Sequence, residues 1–194
     1  MKKFVVVILL LLFSSAAYAE SFVAVKVGST QYVKEKDSIY EGSHIYNKSE
    51  SYGFILGTIK NNWIRRLDIS RERTGVEFVS KFPLPYDGVR IISYPITISI
   101  GRKVGIFYGL VGAGYMLNSA DVWQYPEYPF DAKMNNSICG SAIVGLSKDI
   151  IKNLYIFAEA RYLYSKAEVE IAGYDSFTED LSNVSGYAGL GIKF

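Results

Sequence analysis

Cysteine and histidine are almost missing from the 194-residue chain, which has one of each, Cys139 and His44. A lone cysteine excludes an internal disulfide, and a lone histidine excludes a paired-histidine metal site. Cys139 lies in an apolar run with no histidine near it in sequence, so it reads as a small buried residue rather than a nucleophile. No phosphate-binding glycine loop is present. After the N-terminal segment, no apolar run approaches the roughly 20 residues a helix needs to span a bilayer. Nor does one sign of charge dominate.

The N-terminal segment has the three parts of a secretory signal: basic "MKK", apolar "FVVVILLLLF", and "SSAAYA" with Ala17 and Ala19 at the cleavage-site positions. Residues 1–19 are expected to be removed, so that one domain spans residues 20–194. Loss of Lys2 and Lys3 leaves 19 basic against 19 acidic residues. That balance argues against nucleic acid as a partner, because phosphate binding needs a basic excess.

What remains is rich in aromatic residues, 15% of the chain with 16 tyrosines, and in glycine. These residues suit strands and interfacial girdles. Eight segments alternate with a period of two, the mark of a strand with two unlike faces. In "SFVAVKVGSTQY", Val23, Val25 and Val27 oppose Ala24, Lys26 and Gly28; in "SYGFILGTIK", Tyr52, Phe54 and Leu56 oppose Gly53, Ile55 and Gly57. The segment around "IRRLDIS" alternates least well, since Arg65 shares a side with Leu67 and Ile69. "VRIISYPITISI" alternates best, followed by "IFYGLVGAGYML", "ICGSAIVGLS" and "LYIFAEARYLYS". The eighth begins near Val184 and ends at Phe194.

The connections differ in length by turns. Those after strands two, four and six are tight, whereas residues 33–50, 72–87, 118–136 and 166–183 read as long loops. Long loops at one end only, with strands of about ten residues apolar on one face, describe a transmembrane barrel with short periplasmic turns and long extracellular loops. The membrane requires the sheet to close, because an open edge would strand backbone polar groups in hydrocarbon. The expected fold is all-β, an eight-stranded antiparallel transmembrane barrel, with "YAGLGIKF" as its closing strand.

The closing residues resemble the C-terminal assembly signal of bacterial outer-membrane barrels, with Tyr187, Gly189, Ile192 and Phe194 in its places. "YPITISIGRKVG" followed by "IFYGLVGAGYM", together with "GLGIKF", is similar to the attachment-invasion/OmpX group within the OmpA-like barrels. The resemblance implies a cell-surface protein in the outer membrane of a Gram-negative bacterium. It implies contact with outer-membrane lipid and lipopolysaccharide, with the barrel-assembly machinery, and with host surface or matrix proteins through adhesion. It implies neither an active site nor a cofactor.

Three function classes follow from the residues. For a surface-binding protein, the third long loop supplies Trp123, Tyr125, Tyr128 and Phe130 as contacts; the bland alternative is mutual packing or an aromatic girdle. For a small pore, Lys26, Arg66, Asp68, Glu159 and Arg161 face a lumen that eight strands just fill, so a polar plug competes with a channel. A lipid A-modifying enzyme would need His44 with Ser43, Asp37 or Glu41, a constellation that also reads as a solvated loop. Likewise "GYDSFTED", with Asp175, Glu179 and Asp180, is read as solvated loop before cation site.

Overall fold

The computed structural model describes residues 19–32, 43–46, 49–79, 86–124, 132–171 and 176–194. Its long strands are β1 (Glu20–Tyr32), β3 (Ser49–Lys60), β4 (Trp63–Val79), β5 (Tyr86–Val104), β6 (Phe107–Gln124), β8 (Ser137–Ile151), β9 (Leu154–Ile171) and β11 (Asn183–Lys193). Three short strands supplement them: β2 (Ser43–Tyr46) on β4, and β7 (Ala132–Met134) and β10 (Phe177–Asp180) on β9. The long strands pair antiparallel in the cycle β1-β3-β4-β5-β6-β8-β9-β11, and β11 returns to β1. Ser21 and Phe194 exchange backbone hydrogen bonds of 3.1 and 2.9 Å at that seam. The sheet is closed.

The registers fix the barrel's dimensions. One step across each ladder runs Phe22, Gly57, Arg66, Ser99, Gly112, Ser141, Leu163, Asn183 and then Tyr32. The circuit returns to β1 ten residues beyond its start. With eight strands, that stagger and ordinary strand spacings give a tilt of about 40° and a backbone radius of about 8 Å. Such a lumen holds side chains and little else.

Turn chemistry explains the tight end. Asn61 and Asn62, with φ of 51° and 66°, form the two-residue link of β3 to β4, and Gly105, at 61°, opens the link of β5 to β6. Positive φ is what twisted two-residue hairpins require, and asparagine and glycine tolerate it best. These turns are shorter than the sequence suggests, because β5 and β8 continue through Arg102–Val104 and Lys148–Ile151.

The opposite end needs a larger correction. Much of what reads as loop is strand: β4 runs to Val79, β6 to Gln124 and β9 to Ile171, and Glu72 is a buried barrel residue rather than the start of a loop. The reason is visible on β9. Up to Tyr164 the outer face is apolar and the inner face carries Glu159 and Arg161. Beyond it Lys166, Glu168 and Glu170 are outside, while Ala167 and Val169 are buried. The strand continues, but its polarity inverts where hydrocarbon gives way to water.

Candidate functional site

The lumen is filled in three tiers. At the turn end Phe22, Ile55, Ile64, Tyr108, Tyr155 and Phe157 belong to one apolar cluster. They line an open recess of about 30 Å³, room for a water or two. At the far end Tyr32, Ile91, Met116, Met134, Leu163, Val169 and Leu181 form a second cluster, which also takes in Cys139. Between the clusters lies a tier of charge.

Lys26, Arg66, Asp68, Glu159 and Arg161 all point into this middle tier and are buried. Arg66 grips Glu159 with both terminal nitrogens (Nη1 to Oε2 2.7 Å, Nη2 to Oε1 3.1 Å) and also donates to Asp68 Oδ2 at 3.0 Å. Lys26 Nζ donates to Asp68 at 2.7 Å and to Glu159 at 3.2 Å, and the Tyr108 hydroxyl donates to Glu159 at 2.9 Å. Two cations therefore face two carboxylates.

Glu159 and Arg161, neighbours on one face of β9, do not serve one another in this network. Arg161 pairs with Glu72 of β4, and donates to Ser70 Oγ at 3.0 Å and to the Tyr187 hydroxyl at 2.8 Å. Glu72 also accepts from Tyr187 at 3.2 Å and from Asn183 at 3.1 Å. The Tyr187 ring links the two groups, with Lys26 Nζ 3.9 Å from its centroid and Arg161 hydrogen-bonded to its hydroxyl. Three cations and three carboxylates make the tier neutral, which offsets much of the desolvation penalty that buried charge would otherwise carry.

Local sequence makes room for these long side chains. β5, β6 and β8 present small residues inward at the same level: Thr97 and Ser99, Gly112 and Gly114, and Ser141. A Cβ on Gly112 would strike the side chains of Ser99 and Ser141. One wall of the lumen is thin so that the charges of β4 and β9 can fill it. Glu72, Tyr108 and Tyr187 are the partners that the sequence reading did not include among the interior charges and their ligands.

Of the closing residues, Tyr187 is buried, Gly189 faces inward against the Phe157 ring, and Ile192 and Phe194 are exposed on the outer wall. Trp123 stands in β6, paired with Gly88, rather than in a connecting loop. Tyr125, Tyr128 and Phe130 lie outside the described residues. His44 and Ser43 are in β2, paired with Phe78 and Val79, while Asp37 and Glu41 lie outside the description. In the acidic stretch, Glu179 is buried, Asp180 accepts from the Ser182 amide at 2.8 Å, and Asp175 is not among the described residues. Among the described residues no group of three His, Cys, Asp or Glu gathers as a metal site.

The outer wall is apolar around the barrel: Val25, Val27, Phe54, Ile98, Val111, Val144, Ile156 and Leu190 are all exposed. An exposed apolar belt on a closed sheet is the surface that hydrocarbon, not water, accommodates.

No protein-family model and no curated protein matches the sequence. Solved structures do match in shape. The outer membrane protein OprG of Pseudomonas aeruginosa superposes with a TM-score of 0.69 at 10% identity, covering 91% of this chain and 96% of that one. Outer membrane protein AlkL gives 0.58 at 14%, covering 90% of each chain. Neisserial surface protein A gives 0.53 at 18%, covering 90% and 97%. This chain thus has the closed eight-stranded fold typical of small Gram-negative outer-membrane barrels.

Proposed function

We propose that the protein is a non-enzymatic outer-membrane barrel that acts through the segments held above its apolar belt, in adhesion, host contact or envelope integrity. The observation that carries this reading is the continuation of β4, β5, β6 and β9 past the belt, with Arg73 of β4 and Lys166, Glu168 and Glu170 of β9 outside. Extensions of this kind are a rigid scaffold on which connecting segments can display binding residues. The attachment-invasion/OmpX group is the finer placement we favour, on the motifs at Tyr94–Met116 and Leu181–Phe194. The interior argues for a plug: its carboxylates are buried against cations, with an apolar cluster packed on either side of them.

The test replaces Trp123, Tyr125, Tyr128 and Phe130 together by serine. The barrel should still fold, since closure rests on the ladders, and binding of cells bearing it to host cells or matrix should fall sharply. His44→Ala should leave binding unchanged. Lipid A whose acylation, read by mass spectrometry, depends on His44 would favour the enzyme instead. Solute flux through reconstituted barrels would favour the pore.

A further inference from the structure

The belt is uneven. On β9 the outward residues Leu154, Ile156, Ala158, Ala160, Tyr162 and Tyr164 run without a charge until Lys166. On β4, the strand opposite it in the cycle, only Leu67 and Ile69 separate Arg65 from Arg71. At the tilt above, Arg65 and Arg71 are roughly 15 Å apart along the barrel axis, against an apolar band of about 25 Å in such barrels. Arg71 therefore enters the edge of the belt at the far end, with Arg73 on the same face next to it.

Arg71 is not loose on this surface. Its Nε–H donates to the Tyr94 hydroxyl at 3.3 Å, and its guanidinium lies 5.6 Å from the centroid of the Tyr52 ring. Both tyrosines are exposed on the outer wall; Tyr52 pairs with Arg71 in the ladder with β3, and Tyr94 lies on β5 between the Ile69–Ile96 and Glu72–Ser93 pairs. Tyrosines of this kind settle at headgroup level. A guanidinium has five N–H donors in a planar fork that matches phosphate oxygens, and the Tyr94 bond takes one of them. Arg73, exposed two residues further on, adds a second cation to the face.

We infer that Arg71, positioned by Tyr52 and Tyr94 and assisted by Arg73, is a binding site on the outer wall of β4 for the phosphate of an anionic lipid headgroup. The inference rests on the barrel lying in a membrane, as proposed above. The shared chemistry is a lipid-borne phosphate, either the diester of a phospholipid or the monoester of a phosphorylated glycolipid. The short apolar run of β4 lets that headgroup sink beside the wall, and the two arginines meet it there.

The test follows the side-chain Nε–Hε NMR resonances of Arg71 and Arg102 in the full barrel, refolded into nanodiscs of a phosphate-free zwitterionic betaine lipid (diacylglyceryl-trimethylhomoserine). A minor fraction of the lipid is then replaced by phosphatidylglycerol or by monophosphoryl lipid A. The Arg71 resonance should shift and its exchange with water should slow severalfold. A larger response to lipid A identifies the monoester as the preferred source, and an equal one assigns the site to lipid phosphate in general. Y94F and R73Q should each weaken the response, while R102Q, at the turn end, should leave it intact. An unmoved Arg71 resonance in an inserted barrel overturns the site, as does an equal response to inorganic phosphate in the buffer. Failure of the belt amides to gain protection in nanodiscs would overturn the membrane reading itself, a separate result.

Discussion

Arg161 of β9 and Glu72 of β4, 89 residues apart in sequence, form an ion pair across the lumen between strands opposite one another in the barrel. A second pair, Arg66 of β4 with Glu159 of β9, crosses in the reverse sense. Each strand thus gives one cation and receives one across the barrel. These two struts hold apart and together the walls that the ladders connect only through their neighbours.

Removing one partner should cost far more than removing both. Arg161→Ala leaves Glu72 buried with Tyr187 and Asn183 as donors, and should destabilise the barrel by about 3–5 kcal/mol. Glu72→Leu combined with Arg161→Met leaves no orphan charge, and should cost less than either single change. Urea titration in lipid vesicles measures all three. A double variant as unstable as the sum of the singles would show that Arg161 and Glu72 contribute independently, with no coupling between them, and would refute the compensation argument.

The pair also shows what the sequence reveals and what it hides. Where the outer face is uniformly apolar, as from Ile92 to Ile100, alternation alone identifies the strand and both its faces. β4 lacks that regularity, because Arg65, Arg71 and Arg73 are on its outer wall. Glu72 then looks like one more charge leading into a loop. Its inward position follows only from the ladder with β3, where it pairs with Ser51. The far extensions escape for a related reason: a search for apolar-out alternation ends at Tyr164, although β9 continues with its faces exchanged. Partner choice within the lumen is not local at all. Glu159 and Arg161 sit two residues apart, yet each finds its partner on the far wall.

Assembly and stability should separate at the last strand. Deleting Phe194, which lies on the outer wall and pairs with Ser21, should lower the amount of folded barrel in the outer membrane if the closing residues act as an assembly signal. Heat-modifiable migration on gels reports the folded form. Tyr187→Phe keeps the aromatic ring of that signal but removes the hydroxyl shared by Arg161, Glu72 and Ser51. It should therefore assemble at normal levels and lose about 1–3 kcal/mol to urea. Unchanged folded levels without Phe194 would refute the signal reading.

The inversion on β9 locates the membrane boundary, and substitutions along that one strand can map it. Ala160 faces outward within the belt, so Ala160→Arg brings a charge against hydrocarbon and should cost roughly 2–4 kcal/mol near mid-bilayer. Glu168 also faces outward, eight residues further, where the wall is already charged. Glu168→Arg should stay within about 0.5 kcal/mol, as surface changes usually do. Ala167 points inward there and is 2% exposed within the far apolar cluster, so Ala167→Asp should be severe despite lying above the belt. The expected order is therefore outward-sensitive before Tyr164 and inward-sensitive after it. If Glu168→Arg proved as costly as Ala160→Arg in vesicles, hydrocarbon would extend beyond the inversion, and the segments assigned here to the aqueous surface would lie in the membrane.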